Sequence, residues 1–268
     1  MSEFADLIRT GAAVRTADRE NPTAAAIAVG GGRILAVGTE EQALALRGRQ
    51  TEVRDLGGGA VYPGFVDVHN HHAIAGMTEL FELSFSVALS VDEILDRVRE
   101  YAAALPQDAW VVGGSWASTL MDELNSSAVR VRLDEAAGGR PVVLSDDSHH
   151  NRWANTRALQ LAGIAKDAIP AEGVTLVDPV DGEPSGVLLE AAGILVAKVQ
   201  SAASGLGPDE HRRASRRGVE LANSYGLTAF QDAAASLDIL GALKSLDDAG
   251  ELNAWVVSSL TINDEIFG

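Results

Sequence analysis

Cysteine is absent from this chain of 268 residues. Its absence excludes disulfides, thiolate metal sites and a cysteine nucleophile. No apolar run approaches the roughly 18 residues that a membrane-spanning helix requires. Residues 1–6 also lack the basic and apolar regions of a signal peptide. We therefore expect a cytoplasmic protein.

Basic residues are scarce relative to acidic ones. Lys and Arg number 21 against 38 Asp and Glu, which gives a net charge of −17 at pH 7. A surface of this sign repels phosphate backbones and anionic lipid, so nucleic-acid and membrane partners are not expected. The hydrophobic fraction of 46% is ordinary for a soluble globular protein that buries a sizeable core.

Three of the six histidines follow one short apolar segment. Residues 65–68 (Phe-Val-Asp-Val) predict a buried strand, and Pro63-Gly64 marks its start. His69 and His71 come next, and side chains two residues apart on an extended backbone point the same way. Two imidazoles at a strand end can share one divalent ion, with each nitrogen about 2.0–2.1 Å from zinc. The alternative is a pair of surface histidines in a turn.

Residues 1 to about 60 predict a β-rich domain. Gly30-Gly31-Gly32 separates two strand candidates and predicts a hairpin. These glycines do not predict a phosphate-binding loop, because no helix and no Lys-Ser or Lys-Thr pair follows them. Gly57-Gly58-Gly59 predicts a flexible joint into the segment that carries His69 and His71.

Residues 61–268 alternate between predicted strands and helices, which indicates an α/β fold with a mostly parallel sheet. The predicted strands include 110–116, 141–145, 228–232 and 254–258. The predicted helices begin near Ser90 and Trp153 and also cover 187–199, 211–225 and 237–248. Glu93 stands three residues after Ser90, and this spacing predicts a capping box at the start of its helix.

Three further motifs accompany the His-X-His segment. They are Gly114-Ser115-Trp116, the stretch from Pro141 through His150 to Leu159, and Gly182–Glu190. Together with the strand at 65–68 they resemble the YtcJ-like branch of the amidohydrolase superfamily, called amidohydrolase family 3. The resemblance runs from about residue 6 to the end of the chain. Such sequences usually carry glycine where this one has His149.

This resemblance implies a fold and a reaction. The fold is the metal-dependent-hydrolase (β/α)₈ TIM-type barrel, here residues 61–268, with an N-terminal part of a small β-sandwich domain at residues 1–60. The reaction is hydrolysis of an amide or another non-peptide C–N bond in a small molecule, of the N-acyl or N-substituted formamide type. Water activated by a divalent metal, zinc as one or two ions, would attack the carbonyl.

The resemblance also implies roles for particular residues. His69 and His71 would hold the metal, and Glu190 would be a further ligand unless it is simply a glutamate on a helix face. His150 would orient the substrate carbonyl, with a surface-loop histidine as the alternative. Asp232 ends a predicted strand, would lie on the active-site side and is a candidate catalytic residue, with no contact to the site as the alternative.

Other polar and aromatic residues near these motifs have weaker assignments. We expect His72 and His149 to be neighbours of the site without a role, and His211 to be solvated. Trp153 lies close to His150 in sequence and is the best candidate among the tryptophans for a pocket wall.

Part of the expected catalytic set has no counterpart in this sequence. The family's barrel normally supplies two later histidines and an aspartate that acts as general base, whereas only His211 follows His150. A full barrel takes about 250 residues, so this chain has room for roughly five barrel strands. We expect the first half of an enzyme, completed by a complementary C-terminal half on a separate polypeptide or by a longer native chain, and we expect the chain to bind that half or to self-associate. The alternative is a non-catalytic fragment or accessory subunit that retains the fold.

Overall fold

The computed structural model describes residues 4–171, 173–204 and 206–260. The chain divides into two units. The first consists of Met1–Val66 with Gly226–Ala229, and the second of Asp67–Tyr225 with Phe230–Gly268.

The first unit is made mainly of short strands. In chain order its elements are β1 (Ala5–Thr10), β2 (Ala13–Arg15), β3 (Thr23–Ala24), β4 (Ala26–Gly30), β5 (Arg33–Gly38), α1 (Glu40–Leu44), β6 (Arg47–Asp55) and β7 (Ala60–Val61). One sheet has the strand order β5-β4-β1-β6 and another the order β3-β2-β7. Ile8, Ala28 and Ala43 are fully buried and form the core where α1 packs on the larger sheet.

The hairpin predicted at the first glycine triplet is confirmed. β4 and β5 pair antiparallel, with Gly30 opposite Arg33. Between them, Gly31 and Gly32 have φ angles of 57° and 71°. Two central residues with positive φ form the type I′ turn that matches the twist of a hairpin, and glycine adopts this conformation without steric cost.

The chain then alternates strands with helices. In order the elements are β8 (Phe65–Asn70), α2 (His72–Phe81), β9 (Leu83–Ser84), α3 (Val91–Ala104), β10 (Val111–Trp116), α4 (Met121–Leu124), α5 (Ser127–Ala137), β11 (Val142–Asp146), β12 (Asn151–Ala154), α6 (Thr156–Leu161), β13 (Val174–Val177), β14 (Pro184–Leu189), α7 (Ala191–Ser204), α8 (Pro208–Ser224), β15 (Leu227–Ala235), α9 (Leu237–Asp248) and β16 (Trp255–Leu260). The predicted capping box of α3 is confirmed, because Ser90 and Glu93 each bond the other's backbone N–H. No helix in these described residues is both long and apolar enough to cross a membrane.

The larger sheet of the second unit has the order β13-β14-β12-β11-β10-β9. β9, β10 and β11 run parallel. The pairings β11–β12, β12–β14 and β13–β14 are antiparallel. The prediction of a mostly parallel sheet is therefore wrong here. Only residues 147–150 connect β11 to β12, and so short a connection can join antiparallel neighbours but not parallel ones.

The first residues of two segments predicted to be helical belong to this sheet instead. Trp153 lies in β12, and α6 begins only after Asn155, whose side chain accepts a hydrogen bond from the Ala158 N–H at 3.0 Å. Val187 lies in β14 directly opposite Trp153, and both side chains are fully buried. A short apolar run fits a buried strand as well as a buried helix, so both helices were predicted to begin too early, although α6 and α7 are present as helices from Thr156 and Ala191 on.

The core of the second unit lies between this sheet and helices α3 and α5. Trp116 and Trp153 are its largest members, and neither side chain reaches the surface. The Trp116 indole N–H donates to the Leu144 carbonyl at 3.1 Å. Trp153 therefore packs in the core and does not line a pocket.

A separate sheet has the order β16-β15-β8. The strand predicted at residues 65–68 is present as β8, but its predicted burial is wrong. Phe65, Val66 and Val68 are 60%, 67% and 75% exposed. Within the described part of the chain β8 is an outer strand of this sheet, so its apolar side chains remain accessible.

Candidate active site

The two histidines of the His-X-His motif lie together where β8 ends. His69 is the second-last residue of the strand, and His71 is the residue that precedes α2. Their ring centroids are 5.1 Å apart and the rings are nearly perpendicular. His71 makes no side-chain cap bond to α2, so its imidazole is not used in starting the helix.

Asp67 stabilises this strand end. Its carboxylate accepts hydrogen bonds from the His69 N–H at 3.0 Å and from the Asn70 side-chain amide at 2.9 Å. These bonds, that of Asn70 above all, lower the pKa of Asp67 below its ordinary value. The carboxylate is thus fixed to its own strand, which holds residues 67–70 in one local conformation.

His71 opens onto a cleft of about 760 Å³. The cleft is lined by His71, Ile74, Ala75, Thr78, Glu79, Ser84, Ser148, His149 and His150. His149 and His150 come from the loop between β11 and β12, next to the carboxyl end of a parallel strand. Enzymes with this strand-and-helix architecture place their active sites at such strand ends. The structure therefore brings the two histidine clusters of the sequence to one cleft.

His150 contacts Glu190, a second predicted site residue. The His150 Nδ1 atom lies 3.2 Å from the Glu190 Oε2 atom, and both side chains are exposed. Glu190 directly follows β14 and precedes α7, so it is not a residue on a helix face. The two residues predicted to orient substrate and to ligate metal are thus neighbours in space.

Backbone strain marks the same region. The non-glycine residues with positive φ in the described chain are Ala17, His149 and Glu190, and the last two have φ angles of 60° and 51°. Such conformations cost of order 1–3 kcal/mol each and persist where the surroundings enforce them, often at functional sites. A glycine would adopt the His149 conformation without that cost.

Asp146 is a residue that the sequence analysis missed. It is fully buried at the end of β11 and accepts hydrogen bonds from the Ser148 hydroxyl, the Asn151 N–H and the Asn151 side-chain amide. These bonds span the loop that carries His149 and His150. Burial lowers the pKa of His149, and the positive charge of Arg152 lowers it further. In the sequence, Asp146 and Asp147 precede the histidines, and nothing in this acidic pair indicates that Asp146 is buried.

A second cavity, of about 300 Å³, shares Ile74 and His149 with the cleft. Arg152 and His211 are also among the residues that line it. The expectation that His211 is solvated is wrong, because its side chain is only 20% exposed and lies 3.9 Å from the Asp238 carboxylate. The first turns of α8 and α9 place these two residues side by side.

Asp232 lies behind the motif and not on the cleft wall. It sits in β15 with its side chain buried, and its Oδ2 atom is 2.9 Å from the Nδ1 atom of His72, which is also buried. The distance is that of an ion pair, although the ring N–H is not aligned as in a formed hydrogen bond. Burial raises the pKa of Asp232, but the contact with His72, the Ala234 N–H and the nearby His71 together leave it below its ordinary value.

The histidine pair fits a divalent ion, but a full set of ligands is not gathered around it. Two imidazoles on one tetrahedral ion, each bound at about 2.0–2.1 Å, have ring centres about 5 Å apart, close to the separation of His69 and His71. Among the described residues, no three His, Asp or Glu side chains are placed to share one ion. Glu190 contacts His150 and is not placed to share one ion with both His69 and His71.

The family can be assigned from the sequence itself. The pattern of the amidohydrolase family matches residues 52–266, about four-fifths of the chain. The chain belongs to the amidohydrolase family. The match includes β8, the histidine pair, the loop of His149 and His150, Glu190 and Asp232, and it confirms the resemblance inferred from the motifs.

Individual relatives agree with this assignment. The chain is 33% identical to the N-substituted formamide deformylase of Arthrobacter pascens over 261 residues, which are 94% of this chain and 47% of the deformylase. It is 34% identical over 149 residues to the amidohydrolase-named protein YtcJ of Bacillus subtilis strain 168, covering 56% of this chain and 28% of YtcJ. The chain thus spans about half or less of the length of these curated relatives.

A solved structure supports the fold. An uncharacterized metal-dependent hydrolase from Pyrococcus horikoshii OT3 superimposes with a TM-score of 0.67 at 21% identity, over 95% of this chain and 48% of that protein. At this identity the likeness establishes the fold and not the reaction. The fold is that of an α/β metal-dependent hydrolase.

Proposed function

We propose that this chain belongs to a metal-dependent hydrolase that cleaves the C–N bond of a small amide-like molecule. The observation that carries the proposal is the approach of His69 to His71 at a strand end that opens onto a histidine-lined cleft. The deformylase relative favours N-substituted formamides or N-acyl compounds as the substrate class. When bound, a divalent ion such as zinc would polarise the carbonyl and activate water.

The side chains of this chain have separate roles in the proposed reaction. His69 and His71 hold the ion, and Asp67 fixes the strand end from which they project. His150 faces the same cleft and orients the substrate carbonyl through its ring, while Glu190 holds that ring by its contact with Nδ1. Glu190 as a further metal ligand stays a prediction, as does the number of ions, one or two.

Several broader expectations belong to the same proposal. We place residues 61–268 in the first part of a TIM-type barrel and residues 1–60 in part of a β-sandwich domain. The general base then comes from a region that corresponds to the second half of the longer relatives, supplied by a complementary half. We also propose a cytoplasmic location and neither nucleic acid nor membrane as partner, consistent with the net charge of −17.

A second candidate function is that of a non-catalytic fragment or accessory subunit. The observation in its favour is that no three metal-binding side chains are gathered among the described residues. The two candidates differ in whether the histidine pair binds metal at all.

Metal analysis of the purified chain tests the proposed function. We expect one divalent ion per chain, weakly held, because an incomplete set of ligands supplies only part of the about 10–16 kcal/mol of a full structural zinc site. The chain would be dialysed against limiting zinc beside a His69→Ala/His71→Ala variant and a His211→Ala control. Equal metal content in the chain and the double variant would contradict the proposal.

A substrate panel tests whether the general base lies outside this chain. We expect the 268-residue chain alone to hydrolyse N-formyl and N-acyl compounds only at background rate, because the loss of a general base costs about 10²–10⁴-fold. The assay would include added zinc and the His69→Ala variant. Robust turnover that His69→Ala abolishes would show that the general base lies within this chain.

A further inference from the structure

We propose that Asp232 is a positioning residue that acts through His72 to hold His71 at the metal site. The proposal rests on the proposed function for the identity of the site, but its geometry is independent of it. His72 was expected to have no role, and Asp232 was expected on the active-site side. The structure supports a connection between the two, directly behind the His-X-His motif.

Both side chains are removed from water. His72 and Asp232 are each 1% exposed, and their closest atoms, Nδ1 and Oδ2, are 2.9 Å apart. A carboxylate and an imidazole so deeply buried are costly to retain unless they are paired. Hydrophobic residues would serve the core better if filling it were the only requirement. The pair is therefore kept at a cost to stability, which points to a role in specifying geometry.

The beginning of α2 shows what the pair has to specify. His71 precedes the helix and makes no side-chain cap bond, so the usual device for fixing a helix start is missing. The first turn is instead held by backbone bonds from the Ile74 and Ala75 N–H groups to the His71 carbonyl. His72, the first residue of the helix, is the side chain that can anchor this turn.

The surroundings of His72 leave it no freedom to shift. The helix α8 approaches so closely that a Cβ atom on Gly218 would lie 2.0 Å from the His72 carbonyl oxygen. The Phe230 ring lies 5.1 Å from the His72 ring on the β15 side. Phe230 and Asp232 are two residues apart in β15 and both face inward, so one strand supplies the ring contact and the charge.

Asp232 is itself fixed. Its Oδ1 atom accepts a hydrogen bond from the Ala234 N–H at 3.2 Å, which leaves Oδ2 directed at His72. Among the described residues neither ring nitrogen of His72 makes an aligned hydrogen bond, but Nδ1 lies 2.9 Å from the Asp232 Oδ2 atom, at ion-pair distance, whereas Nε2 has no such contact. The ring is therefore held on its Nδ1 side by this close contact, which connects β15 through His72 to the backbone of His71. Groups that hydrogen-bond a metal-ligating histidine directly change metal affinity by about 10- to 100-fold when removed, so an effect of about tenfold is expected of a pair that acts one residue further away.

Apolar replacement of the whole pair separates positioning from stability. We would compare the unsubstituted chain with a His72→Leu/Asp232→Leu variant, in which no buried charge is left unpaired. A His72→Asn variant keeps a nitrogen donor near the Nδ1 position and serves as the conservative rescue. Asp178→Asn is the matched control, because Asp178 is also buried and accepts backbone hydrogen bonds, from Ser127 and Val180, away from the cleft.

Cobalt(II) binding is the first measurement, with affinity and visible absorption spectrum recorded together and urea unfolding measured in parallel. We expect the double Leu variant to bind cobalt about tenfold more weakly and with an altered spectrum, although its unfolding midpoint is not lowered. His72→Asn should recover most of the affinity, and Asp178→Asn should leave it unchanged. Parental affinity and spectrum in the double Leu variant would overturn the proposal.

Hydrogen exchange keeps the inference testable if the chain binds no metal. The amides of Ile74 and Ala75 report on the first turn of α2, and the Arg130 amide in α5 is the internal reference. We expect faster exchange of the first two amides in the double Leu variant and no change at Arg130. Unchanged exchange at Ile74 and Ala75 would refute the positioning role. A chain that takes up no cobalt but shows faster exchange would refute the proposed function alone.

Discussion

The two sheets that contribute to the second unit differ in how their apolar side chains are covered. In the six-stranded sheet, Leu144, Trp153 and Val187 are fully buried, because α3 and α5 pack against it. In the three-stranded sheet, Val68 and Trp255 are 75% and 76% exposed. Both sheets consist of apolar strands, so composition does not explain the difference.

The difference shows that an apolar run predicts a strand more reliably than it predicts burial. The middle strand β15 makes this clear, because Phe230 and Asp232 on one of its faces are buried whereas its neighbours β8 and β16 leave apolar side chains accessible. Burial depends on which elements pack against the sheet, and these elements come from distant parts of the chain. The candidate metal ligands therefore stand on the less covered of the two sheets.

The largest test of this comparison removes one tryptophan from each sheet. We expect Trp153→Ala to lower the free energy of unfolding by about 3–5 kcal/mol, because a fully buried ring is lost and a cavity remains. The matched variant Trp255→Ala should change it by less than about 0.5 kcal/mol, as for other exposed positions. Urea unfolding followed by circular dichroism measures both, at protein concentrations low enough for the chain to be monomeric. Similar losses for the two variants would mean that the exposed sheet is covered within the monomer.

Local signals in the sequence predicted much of the fold. The helix predicted at 237–248 has those bounds, because Ser236 provides the N-cap and its hydroxyl accepts from the Ile239 N–H. The capping box of α3 and the glycine hairpin were predicted for the same kind of reason. In each case a few adjacent residues determine the conformation, so no long-range contact is needed.

Long-range contacts account for the failures. Trp153 and Val187 are strand residues because they face each other across β12 and β14, although they are 34 positions apart by their residue numbers. At the candidate site, the i, i+2 spacing predicted that His69 and His71 lie together. The pairing of His72 with Asp232 was not predictable in this way, because it joins a helix start to a strand far along the chain.

A smaller effect is expected on association. Within the described residues β16 is an outer strand, and its alternation leaves Trp255 and Val257 exposed. Such an edge is a template for pairing with a second copy or with a complementary half. We expect the chain to self-associate, and Trp255→Lys to weaken association at least tenfold, or about 1.4 kcal/mol.

Light scattering coupled to gel filtration over a range of concentrations measures this association. Val180→Lys is the control, because Val180 is 91% exposed but lies in a turn outside both sheets, so the same change of charge should not affect assembly. A monodisperse 28.0 kDa species at every concentration would show that the exposed strands are not an interaction surface.

The smallest expected effect concerns strain in the well-covered sheet. His149 holds a φ of 60° in the loop between β11 and β12, where Asp146 and its hydrogen bonds enforce the conformation. His149→Gly and His149→Ala both delete the imidazole, but only alanine retains the steric cost of a left-handed residue, about 1–2 kcal/mol. The glycine variant loses about 0.5–1 kcal/mol of this advantage, because glycine has more conformational freedom to lose when the chain folds. We therefore expect the glycine variant to be more stable than the alanine variant by about 0.5–1 kcal/mol in urea unfolding. The reverse order would mean that the loop relaxes to negative φ once the histidine is removed, and that the covered sheet does not impose the strain.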